Sequence, residues 1–212
     1  KHLWPAPALA ATRACARAGI TPNQVTWASV ALTLLAFWLF WQGAFWGGLA
    51  AAWAMTFLDT VDGKLARVTL TSSRFGDVLD HGLDLVHPPF WWWAWAVGCA
   101  ATGQPLADGG LALGVIVAGY VLQRGEEGLF LARFGIEMHV WRRFDSLFRQ
   151  VTARRNPNLL ILTAALARGA PREGLIAVAV WTAVCLLVHA VRIAQAFAAA
   201  RRAPLGSWLA AA

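Results

Sequence analysis

The chain of 212 residues is 58% hydrophobic and 14% charged, and its 18 Lys and Arg against 11 Asp and Glu leave a formal charge of +7. That profile excludes an ordinary soluble domain and fits an all-α polytopic membrane protein, its length suiting one compact transmembrane domain over residues 1–212. The cysteines Cys15, Cys99 and Cys185 lie far apart, two of them in apolar runs, so they read as inert thiols rather than a disulfide framework or metal cluster.

The chain opens on Lys1 and not on Met, and no signal-peptide pattern precedes the body, so a trimmed chain or one cut from a longer protein is expected. Crossing the hydrocarbon core takes about 20 mostly apolar residues in a helix, because lipid offers backbone groups no partner. Six segments qualify. The first covers 25–46, opened by Thr21-Pro22-Asn23, and the second begins at 48 and runs through Met55 into Asp59. The third covers 76–101, with Pro88 and Pro89 predicting a kink. The fourth covers 110–134. The fifth has its apolar heart at 159–166, too short to cross alone, and is expected to extend backward into the polar stretch before Asn158. The sixth covers 175–199.

Charge sets the orientation. With a cytoplasmic N-terminus, the outer loops near 43–48, 102–109 and 168–172 hold just Arg168 and Arg172 of the 18 basic residues. The rest, among them Arg13, Arg17, Lys64, Arg67, Arg142, Arg143, Arg201 and Arg202, then face inward, so both termini and the acidic segment are cytoplasmic. Basic residues at span ends suit anionic headgroups and membrane lipids as partners, not nucleic acid. Trp38, Trp41, Trp46 and the run from Trp91 to Trp95 fall toward outer helix ends, where indoles anchor at the lipid interface.

Within this apolar chain, residues 59–84 read DTVDGKLARVTLTSSRFGDVLDHGLD. A carboxylate at membrane depth costs about 2.5–3.5 kcal/mol unless something neutralises it, so four acids mark a working site. Asp59 and Asp62 are three apart, and Asp80 and Asp84 four apart, so each pair shares a helical face. Two neighbouring helices can thus aim four carboxylates into one gap. Such a set repels itself unless a cation intervenes, and hard oxygen donors select Mg2+, Mn2+ or Ca2+ over zinc. One or two such ions can clamp a phosphate or diphosphate. Gly63, Ala66 and Gly76 leave room for a bulky ligand, while Arg67 and Lys64 offer charge to phosphate oxygens. The plainer alternative, intramembrane acids paired with Lys64, Arg67 and Arg74, does not need so regular a spacing.

Asp59-x-x-Asp62-Gly63-x-x-Ala66-Arg67, eight residues, then Gly76-x-x-x-Asp80-x-x-x-Asp84 resembles the full signature of the CDP-alcohol phosphatidyltransferase family, with every fixed position matched. The stretch from Thr21 to Thr26, with Asn23 at its centre, resembles the opening of that family's first span near the nucleotide pocket. The resemblance implies six spans and an enzyme using Mg2+ or Mn2+, two ions held by Asp59, Asp62 and Asp80, with Asp84 as general base and possible further ligand. It implies that Asn23, Gly63, Ala66, Arg67 and Gly76 line the site of a CDP-alcohol, that a polar acceptor's hydroxyl attacks the phosphorus bearing the alcohol, and that CMP leaves. A homodimer in a bacterial inner membrane also belongs to the expectation, although no seam stands out.

Arg154 and Arg155, between Thr152 and Asn158, form a cradle for an acceptor's phosphate or an anchor to anionic lipid. They tilt the reading toward CDP-diacylglycerol as donor. Arg124, Glu126 and Glu127 interrupt the fourth span and either pair with one another and with Arg192 or Arg133, or line the acceptor pocket. His81 and His87 read as structural, Asp77 as a neighbour of the site, and His139 and His189 give no usable signal. An aromatic prenyltransferase and a non-enzymatic cation transporter are the competing functions. The first lacks the intervening Gly and Ala-Arg positions, and the second predicts a matching acid cluster in the other half, which this chain lacks.

Overall fold

A computed structural model describes residues 5–69, 74–107 and 110–210, without the side chains of 5, 74–81, 83 and 84. Among the described residues there is helix and no strand. The elements run α1 (Pro5–Arg17), α2 (Pro22–Trp41), α3 (Phe45–Thr69), α4 (Arg74–Ala101), α5 (Leu111–Phe134), a 3-10 turn (Met138–Val140), α6 (Arg143–Phe148), α7 (Arg155–Leu166), α8 (Pro171–Ala200) and a last 3-10 turn (Trp208–Ala210). They pack as two compact units, Lys1–Pro105 and Leu106–Ala212.

In the first unit, α2 packs against α3 and α4, and α1 against α3. α2 starts three residues before the predicted 25. Pro22 sits in its first turn, and Thr21 and Gln24 form a reciprocal capping box. It ends where Gly43 takes φ +74°, a conformation that costs glycine little. α3 starts three residues before the predicted 48 and runs through Asp59 and Asp62, as expected, to Thr69, so the first half of the acidic motif is helical throughout. α4 is continuous through Pro88 and Pro89. The Ala-rich α1, not anticipated, buries Ala8 and Thr12 one turn apart.

The tryptophan run corrects an expectation. Trp38, Trp46 and Trp93 are exposed, as interfacial anchors need to be, but Trp91, Trp92 and Trp95 are buried. Trp91 and Trp95 lie four apart on the α4 face that meets α2, and both pack against Phe40, with ring centroids 6.0 and 5.1 Å away. Trp91 Nε1 donates to Thr33 O at 3.0 Å, which satisfies its polar tip inside the packing. The helices close in tightly: a Cβ on Gly98 would fall 2.0 Å from Phe40 O. His87 is likewise buried, its ring edge-on to Trp91 at 4.5 Å.

In the second unit, α5 and α7 pack on α8. α7 reaches back to Arg155 and no further; its 12 residues extend about 18 Å at 1.5 Å per residue. Among the described residues two helices, Pro22–Trp41 and Pro171–Ala200, are long and apolar enough to cross a membrane by length and composition. Cys99 and Cys185 are buried and Cys15 half-buried, none in a disulfide.

Candidate active site

In the first unit the site is built where α3 passes the start of α2. Asp62 is buried, flanked in sequence by Val61 at 0% exposure and followed one turn later by Leu65, also at 0%. Those apolar neighbours press α3 into the packing and carry the carboxylate in with them. Thr26 Oγ1, also buried, donates to Asp62 Oδ2 at 2.6 Å. The hydroxyl also lies 3.1 Å from Pro22 O, but it has one proton, and the charged acceptor at shorter range takes it. The carboxylate thus meets α2 in its second turn, near the positive end of that helix.

Asp59 is half-buried, one turn before Asp62. Asn23 is exposed in the first turn of α2 and, three residues from Thr26, shares its flank. Gly63 is exposed, and a Cβ there would lie 3.9 Å from Arg67 Nη2, so the guanidinium folds back over the surface that the glycine leaves low. Ala66 is half-buried beside it. Asp80 and Asp84 lie on the helical backbone of α4, as does Gly76, but their side chains, with those of Asp77, His81 and Arg74, fall outside the described residues. Among the described residues no three acidic, His or Cys side chains converge as metal ligands. The two aspartates whose side chains are described, Asp59 and Asp62, are donors of the kind a hard cation takes. The Thr26 hydroxyl orients one of them as outer partners of metal-ligating carboxylates do. Sequence reasoning quoted Thr26 within the opening stretch but gave it no role; a hydroxyl one turn into a helix opened by Thr-Pro-Asn is the signal that could have found it.

The second unit holds a cavity of about 290 Å3 lined by Arg124, Glu127, Glu137, His139, Arg149 and Arg154 among others. Glu127 Oε2 is 3.2 Å from Arg124 Nη1, and its Oε1 accepts from Arg154 Nη2 at 2.5 Å. Arg154 is held there because the turn before α7 is pinned to α8: Trp181 Nε1 donates to Val151 O at 2.7 Å, and Ala153 N to Cys185 Sγ at 3.3 Å. Arg155 does not line this cavity; its Nε donates to Asn156 Oδ1 at 3.1 Å. His139 bridges Arg149, which donates to its Nδ1, and Glu137, whose Oε2 is 2.7 Å from its Nε2. Partial burial, and then the Arg149 charge, hold His139 below the ordinary histidine pKa.

Arg192 does not join Glu126 or Glu127, one of the pairings considered for them. Its Nε and Nη2 grip Asp145 Oδ1 and Oδ2 at 2.6 and 2.8 Å, both residues buried, with Trp141 stacked on the guanidinium at 4.5 Å. Asp145 wins because it also caps α6 through the Arg142 N–H at 3.1 Å, which fixes it facing α8. Glu126 instead lies 3.5 Å from His189 Nδ1. His139 and His189, silent in the sequence, both stand at this cavity or at the recess next to it. A polar residue inside each of two apolar runs, Glu126 and His189, was the available signal for the latter.

Residues 19–151 match the profile of a family described as CDP-alcohol phosphatidyltransferase, a span that holds the whole acidic motif. Among similar proteins, a phosphatidylinositol phosphate synthase of Mycobacteroides abscessus is 37% identical over 117 residues, 52% of this chain and 52% of that protein. An archaetidylinositol phosphate synthase of Pyrococcus horikoshii is 45% identical over 67 residues, 31% of this chain and 35% of its own length. A phosphatidylinositol phosphate synthase of Cutibacterium acnes is 29% identical over 194 residues, 88% of each chain. The matched region thus spans about half the first relative and about a third of the second.

Proposed function

The chain belongs to the CDP-alcohol phosphatidyltransferase family, and from that premise we propose that it transfers a phosphatidyl group from CDP-diacylglycerol to the hydroxyl of an inositol phosphate, releasing CMP. The observation that carries this reading is the complete acidic motif inside the matched span, with Asp62 buried and oriented by Thr26. The names of the similar synthases supply the acceptor, and a cavity with three arginines against two glutamates supplies a place for its phosphate.

In this reaction Asp84 takes the proton of the acceptor hydroxyl. The freed oxygen bonds to the phosphorus carrying diacylglycerol as the bond from that phosphorus to the CMP oxygen breaks. Asp59, Asp62, Asp80 and Asp84 would hold two ions, Mg2+ or Mn2+, which when bound neutralise diphosphate charge. Arg67 and Lys64 face phosphate oxygens, while Asn23, Gly63, Ala66 and Gly76 border the nucleotide. Arg154 grips the acceptor phosphate, with Arg155 adding charge one residue on. The membrane segments are α2, α3, α4, α5, α7 and α8, α7 the short one, with both termini and the reaction on the cytoplasmic side of a bacterial inner membrane, and the enzyme works as a homodimer.

The test is CMP release from CDP-diacylglycerol with Mg2+ or Mn2+, with lipid products separated for each acceptor supplied. Asp84→Asn is expected to abolish turnover while CDP-diacylglycerol still binds. Wild-type turnover in that variant overturns the base assignment, and no CMP release from the unaltered chain with any acceptor overturns the reaction.

A further inference from the structure

The connector between α5 and α7 gives Glu137, Met138, His139 and Arg149 to the arginine-lined cavity, yet its regular structure amounts to a 3-10 turn and the six-residue α6. Its shape is held from outside. On one side Arg192 of α8 grips Asp145 through both carboxylate oxygens. On the other, the segment after α8 returns along the connector. Trp208 Nε1 donates to Ser146 Oγ at 2.9 Å, and Ser146 Oγ donates onward to His139 O at 2.6 Å. Ser207 Oγ donates to Val140 O at 3.1 Å. Leu205 packs on the cluster of Phe130, Met138, Trp141 and Ala196. The hydrogen bonds therefore end on the backbone of His139, which lines the cavity, and of the residue after it.

We propose that residues 205–208 are a strap that positions the acceptor-cavity wall, with Ser146 and Trp208 as positioning residues that act through His139 and Arg149. The single proton of Ser146 goes to His139 O while its oxygen accepts from Trp208, so losing either neighbour loosens the His139 backbone. His139 receives Arg149 at Nδ1, so a shift of its backbone moves a guanidinium in the cavity. None of these groups belongs to the first unit, where the donor site is read. The consequence falls on acceptor affinity and spares the donor.

This inference rests on the reading of the cavity as the acceptor's site, and the experiment separates the two. With the full chain in lipid nanodiscs, kcat and the KM for inositol phosphate and for CDP-diacylglycerol are measured for Trp208→Phe, Ser146→Ala, Ser146→Thr and Arg154→Gln. Trp208→Phe removes the indole N–H but keeps an aromatic ring, and thermal midpoints report on folding. Loss of one hydrogen bond in the relay should raise the inositol phosphate KM about three- to tenfold, with kcat and the CDP-diacylglycerol KM unchanged, and Ser146→Thr should restore it. An unchanged acceptor KM in Trp208→Phe and Ser146→Ala, with Arg154→Gln raising it, overturns the strap and leaves the cavity reading standing. Equal losses in kcat or in the donor KM also overturn it, because they mark a general structural role. An unchanged acceptor KM in Arg154→Gln overturns the cavity reading itself.

Discussion

Replacing Thr26 by Val keeps the shape of a buried side chain and deletes its hydroxyl, which gives Asp62 Oδ2 a hydrogen bond of 2.6 Å. Both residues are buried, at 3% and 7% exposure, so water cannot readily take the donor's place. A hydrogen bond to a charged group contributes roughly 1.5–3 kcal/mol, which at 1.4 kcal/mol per decade is roughly ten- to a hundredfold in an equilibrium constant. Loss of an outer partner of a metal ligand independently gives about 10–100-fold in metal affinity. On the proposed role of Asp62, Thr26→Val should raise the Mg2+ or Mn2+ concentration for half-maximal CMP release by that factor, and Thr26→Ser should stay near wild type. The assay is a metal titration at saturating donor and acceptor. An activation constant for Thr26→Val within about twofold of wild type would refute the reasoning.

Gly98→Ala should destabilise the first unit by about 1–3 kcal/mol, since the added carbon would meet Phe40 O at 2.0 Å, whereas Gly125→Ala, with nothing within 4 Å, should be neutral or stabilising; thermal midpoints in detergent compare the two. Arg192→Leu should cost about 3–5 kcal/mol by leaving Asp145 buried without its partner, and the double variant with Asp145→Leu should recover part of the loss in denaturation curves. His139, held below its usual pKa by burial and Arg149, favours the folded protein when neutral. Its contribution is present above about pH 6.5, the unfolded value, and lost as pH falls toward the lower folded value. The fall in thermal midpoint on acidification from neutral pH should therefore be smaller in His139→Gln, and an identical fall would contradict it.

Most of the helical layout could be read from the chain, because hydrophobic runs and capping signals are local. Thr21-Pro22 marked the start of α2, and the structure begins the helix there, closed by the capping box of Thr21 with Gln24, three residues before the apolar span counted from 25. What could not be read was which residues on a helix face meet which on another. The run from Trp91 to Trp95 has one composition, yet three of its indoles are buried and Trp93 faces out, because 3.6-residue periodicity divides the run between two faces. Glu126 and Glu127 were the acids considered for Arg192, and the cap that Asp145 makes on α6 drew it to another.

By itself the sequence carried the motif on which the proposed chemistry rests: the offsets from Asp59 to Asp84 are fixed along the chain, and helical geometry turns such offsets into shared faces without long-range folding. Tertiary structure alone decided which distant side chains pair, the partner of Asp62 among them: Thr26 and Asp62 are 36 residues apart, Asp145 and Arg192 47, and Ser146 and Trp208 62. Pairings across such separations depend on how helix faces pack, and packing is a property of many side chains together that no local pattern encodes.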